Sequence, residues 1–103
     1  MGIFEVFEMI EQLHELRSEI DKVDAELLAL CALRFKIVHN IKKIKKQLSL
    51  NAFDHNRFQE LMQDRLLKAD QVGLCSEFVE NLFHVIHEES LRLQLSCSHA
   101  EKN

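Results

Sequence analysis

Proline is absent from this 103-residue chain, and glycine occurs only as Gly2 and Gly73. A β-sandwich or barrel of this size needs many more turn residues, so an all-β fold is excluded. Tryptophan and tyrosine are missing as well, leaving seven phenylalanines as the aromatic side chains. Cysteine is scarce: Cys31, Cys75 and Cys97 form no C-x-x-C pair, and their number is odd. That count predicts reduced thiols and a cytoplasmic setting. The opening residues, MGIFEVFEMIEQ, lack the basic segment of a secretory signal. Val6 stands where a myristoylation signal takes Ser or Thr. No apolar run approaches ~20 residues, so no membrane partner is expected. A basic excess is lacking too: the net charge of −4 argues against a nucleic-acid partner.

What is present is a globular balance, 47% hydrophobic and 29% charged residues. We expect one helical domain over 1–103, with a core of about 13–95, a helical extension over 1–12 and a frayed tail over 96–103. The chain is too short for a fused domain of ordinary size, which predicts a stand-alone protein. From Ile3 to about Lys46 no glycine, proline or turn cluster interrupts the chain. Leu13, Leu16, Ile20, Val23, Leu27 and Leu30, then Ile37, Ile41, Ile44 and Leu48, recur in alternating steps of three and four. This is the a/d seam of one long helix. Ser49–Asp54 is a turn signal, with Asn51 or Asp54 able to cap a second helix that runs to about Ala69. Its apolar positions are Phe58, Leu61, Met62, Leu66 and Leu67. Gly73 suits the left-handed position after that helix. Ser76 is the expected cap of a third helix, about Glu77 to Leu95, with Val79, Leu82, Phe83, Ile86, Ser90 and Leu93 on its inner stripe.

A first helix of this length is roughly 65–70 Å long at 1.5 Å per residue. Two shorter helices cannot cover its seam, so a second copy of the chain is the expected partner in an intertwined homodimer.

Several polar residues do not fit a plain core. Arg34 occupies an a position of the seam. Lys45 lies about 20° further round the helix and roughly 16 Å along it. Buried cations need carboxylates, either from another helix or from a ligand. Ser90 and Gln94, four residues apart, extend the third helix's inner stripe; Gln94 is either a donor turned inward or a solvated residue near the helix end. Arg57 sits near a helix start, against the dipole preference for anions there. His84, His87 and Glu88 read as surface residues, with no metal site expected. Cys31 reads as a packed small hydrophobe. In the run Lys42–Lys46 all lysines but Lys45 read as a solvated face.

Taken together, the segments LRSEIDKVDAELLALCALRFKIVHNIKKIK, DHNRF and FVENLFHVIHEESLRLQ resemble the all-helical chorismate mutases. The resemblance runs from about Leu16 to Gln94, and the spacing of Arg17, Arg34 and Lys45 is its specific part. It implies three-helix chains swapped into a homodimer, with Arg17 reaching the partner's site. It also implies a small dicarboxylate substrate, chorismate, rearranged to prephenate without a cofactor. By the same analogy, Arg17, Arg34, Arg57 and Ser90 would hold carboxylates, and Asp54 would contact the ring hydroxyl. Lys45 and Gln94 would donate to the ether oxygen, so Lys45, Gln94 and Arg34 are the expected catalytic residues. Such an enzyme would serve phenylalanine and tyrosine synthesis or a specialised pathway. Phe58 departs from the pattern, because the bacterial mutases usually carry a glutamate there. An isochorismate-pyruvate lyase or an aminodeoxychorismate mutase therefore stands beside the mutase, as does a non-catalytic helical dimer.

Overall fold

In a computed structural model, residues 1–96 are described; the expected frayed tail lies outside them from Cys97 onward. Three α-helices follow one another: α1 (Ile3–Gln47), α2 (His55–Gln71) and α3 (Ser76–Leu95), with no strand among the described residues. Two compact units divide the chain, the first ending at Arg34 and the second beginning at Phe35.

The helix bounds follow from local chemistry. The end of α1 is closed where Leu50 N–H donates to the Lys45 carbonyl at 2.8 Å, with Ser49 at φ 56° turning the chain. Asp54, in extended backbone, caps α2: its carboxylate accepts from Arg57 N–H at 3.0 Å. Of the two candidate caps, Asp54 therefore fills the role. α2 runs to Gln71, two residues past Ala69; Val72 caps it, and Gly73 adopts φ 74°. Ser76 is not the cap of α3 but its first residue. Cys75 holds the cap position without a side-chain hydrogen bond, so this end lacks the hydroxyl that serine would have offered.

Nothing lies within 4 Å of a Cβ built on Gly73, so only backbone conformation opposes a side chain there. Replacing Gly73 with Ala should cost about 1 kcal/mol, because an L residue is strained at positive φ. A thermal melt should show a Tm lower by roughly 4–8 °C. Asn, which tolerates this conformation, should restore most of the loss.

In the second unit α2 packs on α3. Leu61, Ala69 and Val79 are buried there, while Phe58, Met62, Leu66, Phe83 and Ile86 are half-buried. Leu67, expected on the inner face of α2, is 63% exposed; Ala69 takes the buried place. The α1 seam behaves differently. Its apolar residues from Leu13 to Leu48 keep 41–64% of their surface, and the buried residue of α1 is Val38. Cys31 is half-buried rather than enclosed. No described helix is long and apolar enough to cross a membrane.

Ion pairs link neighbouring residues on α2 and α3. Hydrogen bonds from Arg65 and then Lys68 hold the Asp64 carboxyl below its ordinary range. A hydrogen bond from Arg92 does the same for Glu89.

Candidate active site

Lys45 leaves the last turns of α1 half-buried, and its ammonium has three hydrogens to place. One goes to the Ala52 carbonyl at 2.6 Å and one to Gln94 Oε1 at 3.0 Å. Both acceptors are neutral oxygens, so neither cancels the charge of Lys45. A cavity of about 300 Å³ opens at this point, lined by Lys42, Lys45, Lys46, Ala52 and Gln94 among others, with no carboxylate in its wall. Among the described residues, the acceptors that meet Lys45 Nζ are these two neutral oxygens and no carboxylate.

Gln94 is half-buried, not solvated at a frayed end. Because Lys45 occupies its Oε1, the amide is turned so that its NH₂ remains available as a donor. Lys45 and Gln94 are thus brought together as two convergent donors, 49 residues apart in sequence.

Lys42 was read as solvated, and this is corrected. It is half-buried, and its Nζ donates to the Leu93 carbonyl at 3.3 Å and the Ser96 carbonyl at 3.2 Å. It closes the end of α3, where the last carbonyls lack helical partners and favour a cation. The signal was its i, i+3 relation to Lys45, which puts both on one face of α1.

Asp54 reaches the site through a second cavity of about 290 Å³, lined with it by Lys45, Leu50, Asn51 and Phe53 among others. Its carboxylate is already engaged as the α2 cap. Arg57 is exposed. Ser90 is 6% exposed, and its hydroxyl donates to the Ile86 carbonyl one turn back at 2.9 Å. Arg17 and Arg34 belong to the first unit, where Arg17 is exposed and Arg34 half-buried.

Phe58 does not stand as an isolated apolar replacement. Its ring stacks on the His87 imidazole, centroids 4.1 Å apart at 29°, and meets His84 edge-on at 5.3 Å. His87 is therefore half-buried, which corrects its reading as a surface residue. His87 lies three residues before Ser90 and seven before Gln94, the spacing of one helical face that Ser90 and Gln94 extend. No described group of three or more His, Cys, Asp or Glu side chains is placed to hold a metal ion.

Residues 16–95 match the family described as chorismate mutase type II. The chain is 34% identical over 92 residues to a chorismate mutase of Methanocaldococcus jannaschii, covering 84% of this chain and 87% of that one. It is 35% identical over 81 residues to the T-protein of Haemophilus influenzae and 28% over 82 residues to that of Enterobacter agglomerans. It spans 22% of the length of each T-protein. A match over most of the sequence, with an archaeal relative of similar length, establishes that the chain belongs to the chorismate mutase type II family.

Proposed function

We propose that this chain is an isomerase that rearranges chorismate to prephenate. The carrying observation is the Lys45–Gln94 pair: two donors converge on a cationic cavity whose own wall offers Lys45 only neutral oxygens. Family membership and the similarity to the archaeal chorismate mutase support the same activity.

The reaction is a unimolecular Claisen rearrangement. The protein's work is to hold the enolpyruvyl arm over the ring in a near-attack conformer. It must also stabilise the negative charge that grows on the breaking ether oxygen. Lys45 and the Gln94 NH₂ donate to that oxygen. Arg34 and Arg57 hold the carboxylates, with Ser90 beside the ring carboxylate. Asp54 faces the ring hydroxyl, and Phe58 bounds the ring.

A second copy of the chain completes the site. The exposed seam of α1 supports this part of the reading, since apolar surface of that extent favours burial against another helix. Arg17 and Arg34 lie about 100° apart around α1, so Arg17 serves the partner's site instead. The chain acts as one domain in the cytoplasm.

A product assay on chorismate, isochorismate and aminodeoxychorismate, run side by side, tests the proposal. Conversion of chorismate to prephenate is expected, which would make Phe58 a tolerated substitution. Selective turnover of either analogue would make Phe58 the specificity change. A folded dimer inert toward all three would overturn the enzymatic reading.

A further inference from the structure

We propose that His87 is a positioning residue for Lys45, acting through Phe53 and the Ala52 carbonyl. The proposal rests on the reading of Lys45 as the ether-oxygen donor. It begins with the segment between α1 and α2. That segment is tied to Lys45 twice: Leu50 N–H donates to the Lys45 carbonyl, and the Ala52 carbonyl accepts from Lys45 Nζ. The next residue, Phe53, is 47% exposed, yet its ring meets the His87 imidazole at a 60° tilt with centroids 5.5 Å apart. Phe58 stacks on the same imidazole, centroids 4.1 Å apart. His87 therefore joins three pieces: the loop through Phe53, α2 through Phe58, and α3 through its own backbone.

The consequence for Lys45 is directional. An ammonium on a four-carbon stem has many rotamers, and fixing it requires anchors. Here α3 supplies both: Gln94 directly, and His87 indirectly by holding Phe53 so that Ala52 presents its carbonyl. Seven residues separate His87 from Gln94, so both anchors project from nearly one face of α3. Loss of the His87 anchor frees the carbonyl and lets the ammonium leave the ether oxygen. The arginines that hold the substrate carboxylates, and Ser90, which bonds the Ile86 carbonyl, do not depend on this link.

Kinetics on chorismate test this. His87→Ala should lower kcat by about 10- to 100-fold, the scale of a small misplacement of a reacting group, with KM changed far less. His87→Phe, which keeps a flat ring between Phe53 and Phe58, should recover most of kcat. Phe53→Ala cuts the same link from an exposed position and should reproduce the loss, so misfolding of the His87 variant does not spoil the test. In a Lys45→Ala background neither substitution should lower kcat further. Multiplicative losses in that background, or an unchanged kcat in Phe53→Ala, would overturn the proposal. Amide hydrogen exchange over residues 50–54 gives a readout independent of turnover. Faster exchange in Phe53→Ala of a chain inert toward chorismate would retain the anchor and reject only the proposed reaction; unchanged exchange would reject the anchor.

Discussion

Replacing Lys45 with alanine should lower kcat on chorismate by about 10²–10³-fold, the usual effect of removing one preorganised donor from developing negative charge. KM should change much less, because the ether oxygen gains its charge only as the bond breaks. The substitution also removes the hydrogen bond that turns the Gln94 amide, so the second donor loses its fixed orientation. Gln94→Ala should accordingly cost less in a Lys45→Ala background than in the native chain. Steady-state kinetics on purified, folded protein decide the matter. Weaker binding with an unchanged rate at saturation would remove Lys45 from the transition state.

Substituting Arg34 with leucine should abolish most turnover, by about 10²-fold or more, while leaving the chain helical and associated. Leucine continues the apolar repeat of α1 and is a strong helix former, so the helix itself should persist. The two readouts separate the competing roles. An enzyme loses kcat/KM while its sedimentation stays that of the native chain. A helical scaffold has no activity to lose. Retained turnover in the variant would take Arg34 out of the site.

Much of the molecule was legible before any tertiary structure. The extent of α1 followed from a stretch without glycine, proline or turn cluster, and Asp54 and Gly73 marked both ends of α2. The expected cap at Ser76 failed because Cys75 took that position with no side-chain hydrogen bond. The family resemblance from Leu16 to Gln94 met a match over residues 16–95. Lys45 and Gln94 were singled out because a cation and an amide stood on stripes that should be apolar.

Sequence alone thus determined the helices, their punctuation and the polar residues out of place. These depend on dihedral preference, capping and the three-to-four-residue repeat, all of which act over a few neighbouring positions. Only tertiary structure decided where the polar atoms went. Lys42 on the end of α3, the turned amide of Gln94, and His87 between Phe53 and Phe58 each join residues 29 to 54 positions apart. Each such contact depends on how the helices pack and on rotamers chosen among several wells, and no local pattern encodes either.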